Sequence, residues 1–139
     1  MRLILKDKNL YLIRFDRGDE VIGKLISVCK KNKLFSGSIS GLGAASEIVI
    51  SYFDIKKKKY LDKKFKSNLE IVSLTGNLAS LGKEPVVHIH GIFSDKNMET
   101  VGGHVQKIVV SVTCEITIIT SNQKIYRQLD KNTQLNLLK

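Results

Sequence analysis

The stretch that decides the fold is Val86–Ile119, VVHIHGIFSDKNMETVGGHVQKIVVSVTCEITII. Its ends are rich in β-branched residues, and its middle, Ser94–Gly103, is polar and glycine-bearing, so it reads as two strands joined by a loop. The second strand, about Gln106–Thr120, places Ile108, Val110, Val112, Cys114, Ile116 and Ile118 on one face and Val109 and Ile119 on the other. A strand apolar on both faces is buried on both.

Upstream, Leu69–Ala79 reads as a strand ending in the turn Leu81–Pro85. Glu47–Asp54 and Tyr60–Phe65 form a pair joined through Lys56–Lys59, and Ser36–Ser46 carries a short strand broken by Gly41 and Gly43. Tyr11–Arg17 is a further strand. Asp19 is placed to cap a helix running to about Lys31, with Val21, Ile22, Leu25, Ile26, Val28 and Cys29 at helical spacing. The tail from Lys124 can add one more strand. The expectation is one α+β domain over residues 1–139: a largely antiparallel sheet of about seven strands packed on one main helix. One helix covers little of so apolar a sheet, which predicts burial against further subunits.

At 139 residues, with 42% hydrophobic and 26% charged residues, the composition is that of a packed domain rather than a disordered chain. No apolar run nears the roughly 20 residues that cross a bilayer, and MRLILKDKNL lacks a signal-peptide core. Cys29 and Cys114 form no CxxC pair and read as reduced core residues, so a cytoplasmic protein without membrane partners is expected.

The formal charge of +10 is the footprint expected of a polyanion binder, and equally what a Lys-, Ile- and Asn-rich composition from an AT-rich genome gives. Nineteen of the 23 basic residues are lysine, which lacks arginine's bidentate fork, so non-specific nucleic-acid affinity is favoured over base readout. The densest patch is KKKKYLDKKFK, where Lys56, Lys57, Lys58, Lys59, Lys63, Lys64 and Lys66 surround Tyr60 and Phe65. Read functionally it is a base-stacking platform; read structurally it is a solvated hairpin. Gly41–Ala44 lacks the Lys-Ser/Thr end of a phosphate loop, and no GxSxG elbow is present.

All three histidines fall within residues 88–104. His88 and His90 are two apart, so on a strand both project from one face. His104 follows Gly102-Gly103, which predicts a tight turn returning its imidazole toward the sheet. Three neutral imidazoles with an open fourth position suit a reactive zinc-like cation, one per chain, with room for a small-molecule ligand. A closed site needs a fourth ligand, for which Asp95, Glu99 and Glu115 are available. Glu115 is also a candidate for proton transfer, since among apolar neighbours its carboxylate needs a partner.

The pattern Glu70, Ser73-Leu74-x-Gly76-Asn77, Pro85-x-x-His88-x-His90, Gly102-Gly103-His104, Thr113-x-Glu115, with Arg14-x-x-x-Gly18-x-Glu20 and Gly41-x-Gly43-Ala44 upstream, resembles the plants-and-prokaryotes conserved (PPC) domain. That resemblance implies a compact homotrimer with a DNA-binding or regulatory role. Plant members carry Arg-Gly-Arg AT-hooks; none is present here, leaving the lysine surface for DNA. A plant regulatory stretch is similar to Asn68–Leu74, which marks Glu70 and Ile71 as a candidate interaction surface. More distantly, His88–His104 resembles the metal segment of acetolactate decarboxylase. This likeness implies zinc ligation by His88, His90 and His104 and a carboxylate-binding role for Arg14. The three histidines and their open ligand position give the alternative reading, a zinc-dependent lyase or hydrolase acting on a small carbonyl or ester.

Overall fold

A computed structural model describes Met1–Lys139. In chain order the elements are β1 (Arg2–Asp7), β2 (Leu10–Asp16), α1 (Val21–Lys31), β3 (Gly37–Asp54), β4 (Lys59–Phe65), β5 (Leu69–Leu81), β6 (Glu84–Ser94), β7 (Thr100–Thr120), β8 (Arg127–Leu129) and β9 (Asn136–Leu138). The first seven strands form one antiparallel sheet, and β8 and β9 form a separate hairpin. The expected α+β architecture is present, with a seven-stranded sheet and one helix.

Order along the sheet is β1-β2-β7-β6-β5-β3-β4, but β7 also pairs with β3. The pairings β3–β5, β5–β6, β6–β7 and β7–β3 therefore close a circuit. Inside it and beneath α1 lies one cluster of 24 buried apolar residues, including Phe15, Leu25, Ile48, Leu74, Ile89, Phe93, Ile108 and Ile116. Much of the apolar sheet is thus covered by the sheet folding back on itself. The sequence reading had assigned that covering to other subunits.

Several local expectations change. Glu20, not Asp19, caps α1: its carboxylate accepts from the Ile22 and Gly23 N–H groups at 3.0 and 2.7 Å. Asp19 instead turns in to accept from the Asp16 N–H and to pair with Lys24. Gly41 and Gly43 do not break the strand; β3 runs through both with a shift of register. At Gly43 φ is +148°, and a Cβ would stand 2.3 Å from the Thr113 carbonyl, so only glycine lets β3 lie this close to β7. β1, absent from the sequence reading, is an edge strand with every residue exposed, so it leaves no alternating signature.

Val112 departs from its predicted face. Ile108, Val110, Cys114, Ile116 and Ile118 are buried, whereas Val112 is 71% exposed. The cause is a bulge: between the pairs Gly43↔Cys114 and Ala45↔Val110, three residues of β7 oppose one of β3. Leu42 and Val72 also sit at register shifts, and Ile92 lies just beside one; all three are exposed. Four neighbouring strands therefore turn an aliphatic side chain outward where their pairing is irregular.

Candidate metal centre

β6 lies between β5 and the first residues of β7. His88 stands opposite Asn77, and His90 opposite both Thr75 and His104. As the alternation requires, Ile89 points the other way, into the core. His104 occupies the position where β7 leaves β6 for β3, paired with His90 on one side and Ser51 on the other.

The predicted glycine turn before His104 is not there. Gly102 and Gly103 are extended strand residues facing Ile92 and Gly91. A Cβ on Gly102 would come within 3.0 Å of the Gly91 carbonyl, and one on Gly103 within 3.0 Å of the Ser51 carbonyl. Their small size brings three strands together, and that closeness carries His104 to the pair on β6.

The ring centroids of His88 and His90 are 5.1 Å apart, those of His88 and His104 5.0 Å, and those of His90 and His104 5.5 Å. One nitrogen from each ring lies within 4.8 Å of the others. Nitrogens on one tetrahedral zinc stand about 3.4 Å apart, so rings at the 4.8 Å limit close inward to share one ion. His104 stacks on Tyr60 with centroids 4.9 Å apart, and Phe53 meets Tyr60 edge-on, which fixes the imidazole's plane.

Burial holds His88 below the usual imidazole range and carries His104 down to about 4, with repulsion from Arg127 and the neighbouring rings adding to it. Both are neutral near pH 7, the form that ligates metal. His104 Nδ1 is buried without a hydrogen-bond partner. An orphaned polar atom of this kind is costly, and a cation would satisfy it. The donor set therefore fits a divalent metal.

Arg127 is the site residue that sequence reasoning missed. It comes from β8, in a polar tail with no periodicity to flag it, and its Nη2 donates to Asn77 Oδ1 at 2.7 Å while lying 3.3 Å from His88 Nδ1. A cavity of about 320 Å³ opens beside the rings, lined in part by Tyr60, His88, His104, Gln106, Arg127 and Leu137.

The other candidates lie elsewhere. Arg14 and Glu115 face each other across β2 and β7, eleven residues along the strand from His104. Arg14 is bound to Asp16 at 3.1 Å, and Glu115 is exposed to solvent, so it needs no partner. Asp95 accepts from the Asn97 and Glu99 N–H groups within its turn, and Glu99 is exposed. None of the three carboxylates joins the histidine group. Ile71 is buried, leaving Glu70 exposed beside it. Lys56–Lys59 lie in the β3–β4 connection and at the start of β4, and Lys63, Lys64 and Lys66 are exposed with them. The lysines line the sheet's edge at β4, where charge also blocks unwanted strand pairing. Lys64 is paired with Glu47 at 3.1 Å and Lys63 lies over the Phe65 ring. Tyr60, in the middle of this run, is stacked on His104.

This geometry and fold define a class: residues 4–122 match the profile of the Plants and Prokaryotes Conserved (PCC) domain. The chain belongs to that family, as its motifs had suggested. Among solved structures it is similar to a candidate DNA-binding protein from Bacteroides thetaiotaomicron, at 28% identity and TM-score 0.94 over 97% of this chain and 94% of that one. It is also similar to a metal-containing protein from Archaeoglobus fulgidus (27% identity, TM-score 0.87, 100% and 99% covered) and a plant- and prokaryote-conserved protein from Pyrococcus horikoshii (30%, 0.88, 95% and 92%). Acetolactate decarboxylase from Bacillus subtilis shares the fold alone, at 18% identity and TM-score 0.57 over 79% of this chain and 52% of the enzyme. No curated protein sequence gives a significant match.

The depressed His104 value makes stability depend on pH. The unfolded chain takes up a proton on His104 near 6.5 and the folded chain only near 4, so in this window the unfolded state binds more protons and stability falls as pH falls. Urea midpoints of chelator-treated protein are expected to drop between about pH 6.5 and pH 4, with a shallower drop for His104→Gln. Equal slopes for the two proteins would contradict burial as the cause.

Proposed function

We propose that this PCC-domain chain is a metal-binding module in which His88, His90 and His104 hold one zinc or similar divalent ion per chain. The observation that carries the reading is the convergence of three imidazoles, one of them with a buried nitrogen lacking any partner. When bound, such an ion supplies Lewis acidity at an open coordination position. Tyr60 orients His104, and the adjoining cavity has room for a small ligand. Untagged protein purified without chelator is expected to carry about one zinc equivalent per chain by elemental analysis. His90→Ala is expected to lose it, because two imidazoles hold a cation poorly. Metal-free protein under zinc-replete conditions would contradict the reading.

We further propose that the domain covers residues 1–139 and acts as a homotrimer. The aliphatic side chains of Leu42, Val72, Ile92 and Val112, exposed at or beside bulges on four neighbouring strands, support self-association. Sedimentation is expected to give a trimer for the parent protein and smaller species for Val112→Glu. A parent monomer would remove this part.

Nucleic acid is the partner that the charge and the similar proteins favour. Lys56, Lys57, Lys58, Lys59, Lys63, Lys64 and Lys66 form an exposed basic edge, and a similar structure is that of a candidate DNA-binding protein. Lysine charges suit contact to phosphates, and with it a regulatory module in the cytoplasm rather than a reader of sequence. Duplex DNA affinity is expected to fall steeply between about 50 and 200 mM salt, and less steeply for a Lys56→Gln/Lys58→Gln/Lys63→Gln variant. Absence of binding at low salt would exclude this role. The cavity beside the histidines supports a second reading, a zinc-dependent lyase or hydrolase on a small carbonyl or ester.

A further inference from the structure

The family match ends at residue 122; beyond it the chain forms the β8–β9 hairpin, which lies against the histidine group. Its backbone joins the sheet at a single bridge, between Ser80 on β5 and Tyr126. The Ser80 N–H donates to the Ile125 carbonyl at 2.8 Å, and Arg127 reaches Asn77 and the neighbourhood of His88. All of β9 is exposed, with Leu137 and Leu138 near half exposure. A two-stranded hairpin has little stability of its own, so its docked position depends on these few contacts.

One of those contacts conflicts with metal binding. A guanidinium only donates hydrogen bonds. With Arg127 Nη2 at 3.3 Å, His88 Nδ1 must present its lone pair to the arginine, and the ring's proton then sits on Nε2. A neutral imidazole has one lone pair, so His88 in this state has none for a cation. The alternative tautomer frees Nε2 but turns an N–H against the arginine's own N–H, and bonding through Nδ1 puts the metal where Arg127 already points. Ligation by His88 and contact with Arg127 exclude each other either way.

We propose that Arg127 is an internal competitor for the metal: the C-terminal hairpin docks its guanidinium on His88, and a divalent cation enters the three-histidine centre only as that contact breaks. The inference rests on the reading of His88, His90 and His104 as a metal centre. Two further observations fit a contact poised to break. Arg127 Nε is buried with no partner, so the docked guanidinium is incompletely satisfied. Leu135, Asn136 and Leu137 also line the cavity beside His88 and His104, so undocking opens that cavity. Because docking and metal exclude each other, each weakens the other by the same factor.

Cobalt(II) titration followed by visible absorbance tests this on the full-length protein, Arg127→Met and Asn77→Ala. Arg127→Met is expected to bind cobalt at least tenfold more tightly than the parent, and Asn77→Ala, which loosens the arginine, to fall between them. Zinc loading of the parent protein is expected to speed amide exchange at Ser80 and across 124–139. Equal or weaker binding by Arg127→Met, with binding still lost in His90→Ala, overturns the competitor and leaves the metal centre standing. Tighter binding with no change in exchange would mean charge repulsion alone and also overturns it. If no form binds cobalt, the metal centre falls and the competitor with it.

Discussion

The structure depends on one strand, β7, that pairs with β6, β3 and β2 along its length. β7 begins against β6 and continues against β3, and the change of partner falls at His104. Two glycines immediately before it allow the carbonyls of Gly91 and Ser51 to approach from either side. Because β7 bridges β6 and β3 in this way, the sheet closes a circuit, much of its apolar surface is covered within one chain, and imidazole nitrogens from two strands come within 4.8 Å of one another.

Closure also sets the electrostatics. The chain carries +10, yet its histidine group is neutral at His88 and His104 because burial disfavours protonation there. The lysines crowd the adjoining β4 edge, from which Tyr60 reaches His104, and several of them are already engaged by Glu47, Asp54 or the Phe65 ring. A neutral donor group thus sits beside a cationic edge on one small domain.

Much was legible from the sequence where a pattern is local. The alternation of β6 put His88 and His90 on one face and Ile89 in the core, as found. The helix was readable from its spacing. Its cap was misplaced by one residue because Asp19 and Glu20 are both acidic, and only the Lys24 and Asp16 contacts decide which is drawn inward. The Gly102-Gly103 turn failed for a similar reason: glycine permits both a turn and a close approach, and the neighbouring carbonyls determine which occurs. Val112 matched its neighbours in parity and was turned outward by a bulge that no side-chain pattern encodes.

The sequence by itself determined the class of fold, the family and the three histidines, because each rests on residue type at short spacing. Tertiary structure alone decided which distant residues join them. Arg127 reaches His88 through a tail hairpin 39 positions away, Tyr60 leaves the lysine run to stack on His104, and Arg14 and Glu115 pair across strands elsewhere. These are consequences of chain closure and strand register. They depend on how the backbone returns on itself, and no local periodicity records that path.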